Sequence, residues 1–283
     1  MGLGYNRGIF HEGIVARVKE RFAHPTAQRR ITRLALIFLV IEFLDELVYG
    51  AMEAAWPLIR NELGLTYTQV GLAMSLPVFA SLVFEPLLGI LGDTRHRRKV
   101  ILSGGVVFVI ALGLTALAPN FLLFALMVSL LQLASGAFVS LSQSTLMDID
   151  SERQEHNMAR WTFAGSIGVA LGPLYLGLCI LLGWGWRGMV WGLAFFSLAV
   201  CVLAFLNQPK RLPAEEKATE PVSLRSSASR AIAALRKKEV LRWLILLEFS
   251  DLLLDVLYSY LALYLVDVAG LTPAQATLGV AVW

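Results

Sequence analysis

Three carboxylates, Glu42, Asp45 and Glu46, sit about ten residues into an apolar run that begins after Arg33. At a helical rise of about 1.5 Å per residue, Glu42 lies roughly 14 Å along from Arg33, near the middle of a hydrocarbon layer about 30 Å thick. An Asp at a helix centre costs about 2.5 to 3.5 kcal/mol on insertion scales, so three acids at that depth need an interior-facing surface, a partner or a proton. A turn of about 100° per residue puts Asp45 roughly 60° to one side of Glu42 and Glu46 roughly 40° to the other. One face therefore holds all three. No Lys or Arg lies deep in the first six apolar segments to neutralise them. Two roles stay open: proton carriage or cation binding, and pairing with polar neighbours that fixes helix register.

The stretch recurs. Sliding the sequence by 206 positions lays Glu42-Phe43-x-Asp45-x-Leu47 over Glu248-Phe249-x-Asp251-x-Leu253, and Gly64-Leu65-Thr66-x-x-Gln69 over Gly270-Leu271-Thr272-x-x-Gln275. Asp251 and Asp255 fall within about 60° of Glu248, so the second copy presents an acidic face of its own. A hydropathic repeat with acids at matching depth is a common transporter plan, with the site between the repeats near the midplane.

The elements that must carry these acids are membrane spans. Hydrophobic residues make up 57% of the chain and charged residues 16%, and the mean hydropathy is +0.67, well outside the composition of a soluble domain. Runs of spanning length occur at about 33–58, 67–92, 100–118, 121–147, 160–182, 188–206 and 241–266, and an eighth begins near Ala274. The sequence thus predicts an all-α polytopic bundle in four parts: a tail (1–31) with an amphipathic helix at 8–23, a six-helix unit (32–207), a linker (208–239) and the opening of a second unit (240–283). Reaching Trp283 inside its eighth span, the chain reads as truncated, with about four more helices needed to finish the repeat. Every Lys and Arg except Arg60 and Arg187 falls in the tail, the second-to-third and fourth-to-fifth connections, or the linker and its edge. The positive-inside rule then puts the N-terminus in the cytoplasm. The formal charge of +3 is topological and gives no nucleic-acid signal. Cys179 and Cys201 lie in apolar runs and imply no disulfide framework.

Between the second and third spans stands Gly89-Ile-Leu-Gly-Asp93-Thr-Arg-His-Arg97-Arg98-Lys99. It resembles the loop signature of the major facilitator superfamily, G-x-L-a-D-R-x-G-R-R/K. Gly89, Leu91, Asp93, Arg97 and Arg98 match, while Thr94 and His96 stand where the family has Arg and Gly. Physically, Gly89 permits close helix approach, Asp93 can meet a helix N-terminus or a basic group, and Arg97 and Arg98 can hold the loop at anionic headgroups. The resemblance implies a latch between two halves; a loop that serves topology alone is the other reading. In the fifth span Gly168-Val-Ala-Leu-Gly172-Pro173-Leu-Tyr-Leu-Gly177 resembles the antiporter motif G-x-x-x-G-P-x-x-G-G, with Leu176 in place of one Gly. Small residues every four positions and a proline bend also suit plain helix packing. Trp186-Arg187 resembles the family's outer loop. In the fourth span, Gln132 occupies the place where related proton-driven antiporters carry an embedded Arg four residues before a Gly, here Gly136.

These resemblances imply a secondary transporter, most like bacterial drug-efflux members, in the bacterial inner membrane. It would exchange protons at Glu42, Asp45 and Glu46 for a small lipophilic or cationic solute, with Gln132, Glu248, Asp251 and Asp255 in the same cavity. A proton-coupled symporter of a sugar or similar metabolite and a non-transporting truncated fragment are the alternatives. Glu53, near the end of the first span, reads as solvated. Glu85 is either satisfied by the loop arginines or used in transport. No nucleotide loop, metal-ligand spacing or nucleophile constellation is visible, so no catalytic residue, metal or cofactor is expected, and the chain reads as a non-enzyme.

Overall fold

The computed structural model describes residues 25–92, 94, 96–149, 153–207, 233 and 236–282, with side chains from residue 32 onward except at 247, 248 and 250–255. Among these the regular structure is entirely helical: α1 (Pro25–Leu63), α2 (Tyr67–Gly92), α3 (Arg97–Leu117), α4 (Phe121–Ile149), α5 (Gln154–Leu181), α6 (Gly185–Asn207), α7 (Lys238–Asp267) and α8 (Pro273–Val282). Helices α2 to α6 are each long and apolar enough to cross a bilayer. At 39 residues α1 has ample length, but its apolar stretch carries the three acids. The all-α polytopic bundle expected from composition is the observed fold. The tail helix at 8–23, the linker over 208–232 and Asp93 lie outside the described residues.

The repeat is built as well as written. α1 ends at Gly64, whose φ of 63° is left-handed, and α7 gives way to Gly270 at 71°. Only glycine takes that conformation without strain, and it stands at the same point of the repeat in both copies, one residue past the end of α1 and three past the end of α7. The next helix begins identically in each copy. Thr66 N–H donates to Gln69 Oε1 at 2.9 Å while Gln69 N–H donates back to Thr66 Oγ1 at 3.2 Å. Thr272 and Gln275 repeat the exchange at 3.0 and 3.3 Å. This is a capping box, which satisfies helix-terminal donors that hydrocarbon would leave orphaned.

Successive helices run antiparallel, so their ends share two faces. One carries Arg60, Arg187 and Asp267; the other carries Arg97 and Asp148. α1 packs most extensively on α5, α3 on α6 and α4, and α2 on α4. Phe38, Phe108, Phe124, Phe138 and Trp186 are fully buried. Phe79, Leu82 and Val83 of α2 are exposed apolar side chains, a pattern suited to lipid rather than water. α7 is buried near the Arg60 face, at Ala262 and Leu263, and exposed toward its start, at Trp243, Ile245 and Phe249. At the Arg60 face Arg60 pairs with Asp267 at 2.5 Å, lies 4.3 Å over the Tyr67 ring, and Tyr67 Oη donates to the same Asp267 at 2.7 Å. Contact between the two repeats is therefore closed at one face.

Midway along α4, Gly136–Ser140 forms a π-helical turn. It fits against Gly104 of α3, where an added Cβ would stand 2.8 Å from Phe138 N. The wide turn needs a neighbour with no side chain.

Candidate functional site

A cavity of about 510 Å³ opens among α1, α2, α3, α4 and α7. α1 supplies Asp45, Glu46, Tyr49, Met52, Glu53 and Trp56, positions that recur every three or four residues and so form one helical stripe. α4 adds Leu131, Gln132 and Ser135, α2 adds Met74 and Pro77, α3 adds Phe108, and α7 adds Ser259. No Lys, Arg or His is among the described residues lining it. Ser135 Oγ donates to Asp45 Oδ2 at 2.9 Å, tying α4 to α1 through the acid.

The three acids divide between two surroundings. Asp45 and Glu46 face the cavity. Glu42, 7% exposed, lies behind it against α5. Gly165 makes room for it: a Cβ there would stand 2.8 Å from Glu42 Oε1. The same glycine edge continues through the antiporter-like motif. A Cβ on Gly168 would meet Phe43 O at 2.5 Å, and one on Gly172 would meet the carbonyl carbon of Gly50 at 2.7 Å. Gly168, Gly172 and the buried Pro173 thus seat α5 directly on the acid-bearing helix. Close packing accounts for the two glycines, and the helix they admit is the one that carries the acids.

Other expected site residues fall in different places. Gln132 lines the cavity. Glu248, Asp251 and Asp255 lie on α7 outside the described side chains. A Cβ on Gly89 would meet nothing within 4 Å among the described residues, so the close approach expected there is absent in this conformation. Arg97 does not reach for headgroups: it is buried and donates to the Asp148 carboxylate at the end of α4. Arg98, its neighbour, is half-buried. Glu85 is exposed and lies beside the π turn, its Cγ 3.4 Å from where a Gly136 Cβ would be. Glu53, read as solvated, instead lines the cavity. Tyr49 and Trp56 went unread, although Glu42, Glu46, Tyr49, Glu53 and Trp56 follow a spacing of four, three, four and three that marks a single face. Trp186-Arg187 is a clamp on the Arg60 face. Trp186 Nε1 and Arg187 Nε donate to Glu62 of α1 at 2.6 and 2.5 Å, and the Arg187 guanidinium also donates to the carbonyls of Ala116 and Ala118 at the end of α3.

A helical bundle with a repeated unit and an acid-lined cavity where the repeats meet is a transporter architecture. The family model of the Major Facilitator Superfamily matches residues 38–283, and the chain belongs to that superfamily, a family of transporters rather than enzymes and of integral membrane proteins. Among curated relatives, the chloramphenicol resistance protein of Pseudomonas aeruginosa is 30% identical over 187 residues, covering 62% of this chain and 43% of that protein. The fosmidomycin resistance protein of Escherichia coli is 27% identical, covering 58% and 40%, and the maltose permease of Geobacillus stearothermophilus is 26% identical, covering 79% and 56%. The chain spans about half the length of these relatives. In fold it is similar to a bacterial homologue of the lysosomal transporter Spinster, solved in an inward-facing, unoccupied conformation, with a TM-score of 0.64, 16% identity and coverage of 91% of this chain and 59% of that one.

Proposed function

We propose that the chain forms the acid-bearing part of a proton-coupled exporter that moves small lipophilic or cationic solutes by alternating access. The observation that carries this reading is the cavity lined by Asp45, Glu46 and Glu53 and, among the described residues, by no basic side chain. A carboxylate shielded from water and lacking a fixed cation takes up either a proton or a cationic solute. Replacement of one by the other is exchange. Glu42, sheltered behind the cavity, holds a proton out of reach of solute, and Asp45 links protonation to helix movement through its bond from Ser135. Anionic cargo would find no counter-charge among the described residues there. Relatives named for chloramphenicol and fosmidomycin resistance and for multi-drug efflux support export.

In this reading the Arg97 face and the N-terminus are cytoplasmic and the Arg60 face is outward, in a bacterial inner membrane. The exposed start of α7 and the closed Arg60 face then make this the conformation open to the cytoplasm. The loop from Gly89 through Asp93 to Arg98 would close that side in the opposite state, and Glu248, Asp251 and Asp255 would be the second unit's acids.

The test is substrate-driven proton flux in liposomes with an imposed pH gradient and an internal pH dye. Asp45→Asn and Glu42→Gln keep shape and hydrogen bonding but cannot release a proton, so substrate should still bind while coupled flux is lost. Undiminished flux in both variants overturns the reading. Protons that move with the solute rather than against it identify a symporter, the second reading, which the maltose permease relative and the polar Gln132, Ser135 and Ser259 favour.

A further inference from the structure

The π turn of α4 lies between two polar contacts that the same helix makes with different neighbours. Ser135, the residue just before the turn, donates to Asp45 of α1. Roughly 20 Å further along, at about 1.5 Å per residue, Asp148 accepts from the buried Arg97 of α3. The turn itself is seated on α3. A Cβ on Gly104 would stand 2.8 Å from both Ala137 Cβ and Phe138 N and 3.0 Å from the Ala137 carbonyl carbon, contacts that no side-chain rotation relieves.

A π turn closes its hydrogen bonds over five residues rather than four, so it holds one residue more than the α turn that could replace it. If the turn relaxes to α geometry while the first half of α4 stays in place, each later residue moves on by one helical position. That step is a rotation of about 100° and a rise of about 1.5 Å. Exposed Ser144 then takes the place of buried Thr145, and half-buried Gln143 takes the exposed place of Ser144. Met147 arrives where Asp148 stood, so Arg97 exchanges a carboxylate for a thioether. Two features lower the cost of the step. The Phe138 and Ser140 carbonyls accept from Ser142 Oγ at 2.6 Å and Ser144 Oγ at 3.0 Å, so neither is left bare while its backbone N–H partner changes. Packed helices also settle into discrete arrangements rather than deforming by degrees, and a slip of one residue is such an arrangement.

We propose that this turn is a register switch: the bare surface at Gly104 and the Ser135–Asp45 bond hold the π form, and loss of either lets α4 slip by one residue and release Asp148 from Arg97. A contact in the cavity is thereby tied to one at the Arg97 face through the backbone of a single helix. The switch is independent of what the cavity carries, and its test needs no transport.

The readout is the reaction of single cysteines with N-ethylmaleimide in the purified protein, in a background lacking Cys179 and Cys201. Ser144→Cys should react faster than Gln143→Cys while the π form prevails. Gly104→Ala, whose methyl group competes with the turn for space, should slow the first and speed the second, so that the ratio of the two rates falls about tenfold. Ser135→Ala should lower the ratio in the same direction and decides the matter if Gly104→Ala does not fold. Deletion of Ser140, the exposed residue of the turn, removes the extra residue and leaves Ser144 and Asp148 in their places. The deleted chain should keep the wild-type ratio and hold it against either substitution. A helix that merely loosens, or a gate that merely opens, moves both thiols in one direction. Rates that rise or fall together, a ratio unmoved in the folded variants, or a Ser140 deletion that still responds or does not fold overturns the switch.

Discussion

At the scale of single residues, the glycines of α5 and the glycine of the loop motif make opposite forecasts. A Cβ on Gly172 would press into the backbone of Gly50 and Ala51, which cannot rotate away as a side chain would. Gly172→Ala should therefore lower stability by about 1–3 kcal/mol or more, seen as an earlier thermal unfolding midpoint in detergent. Gly89→Ala, with open space around it, should unfold at or slightly above the wild-type midpoint, since alanine is the better helix former. Equal losses in the two would mean that the α1–α5 contact is looser than described. The expectation that Glu42, Asp45 and Glu46 lie deep rests on distance along a helix, with the hydrocarbon thickness as a fixed ruler. Glu53 was misread by the same ruler. Its position near the span's end says nothing of the cavity that α2, α4 and α7 wall around it, and only packing brings those helices there. Arg97 failed for a related reason: its partner Asp148 lies at the end of another helix, and no local spacing pairs them.

At the scale of elements, the ends of the helices were legible where chemistry is local. The two Gly-Leu-Thr-x-x-Gln corners contain their own stop and start signals, so a shift of 206 positions found in the sequence what recurs in the fold. The π turn of α4 was not legible, since it depends on the bare surface of α3 at Gly104. What the corners hold together is also testable. Arg60, just before the first corner, and Tyr67, just after its start, both bind Asp267 before the second. Asp267→Asn weakens a charge-assisted pair to a neutral contact and should shift the protein toward the state open at the Arg60 face. A cysteine at Ser259, which lines the cavity, should then react faster with a thiol reagent supplied from that side, and the exchange Arg60→Asp with Asp267→Arg should slow it again. Unchanged reactivity in Asp267→Asn would reduce this contact to a surface ion pair of little consequence.

At the scale of the molecule, class and fold followed from composition and run length, which reflect the solvent the protein must satisfy. Solute identity did not, because it is set by shapes that no periodicity records and because relatives at 26–30% identity carry different cargoes in their names. Orientation is open to a direct check. In a background lacking Cys179 and Cys201, a cysteine at Gly185, in the turn before α6, should be labelled by an impermeant reagent in intact cells. Labelling only after lysis would invert the assignment of faces. The seating of Glu42 against α5 has a last consequence, for biosynthesis. A ribosome delivers α1 to the membrane before α5, and until α5 arrives Glu42 lacks the helix it packs against. The three acids cost on the order of 8–10 kcal/mol at mid-bilayer, more than the leucines and isoleucines around them readily offset. Helix α1, made before α5, should thus be among the last to settle. Nascent chains cut before Gln154 should leave a glycosylation acceptor in the Gly64 corner largely unmodified in microsomes, whereas chains extending past Leu181 should carry the sugar; equal modification at both lengths would mean that α1 enters the bilayer unaided.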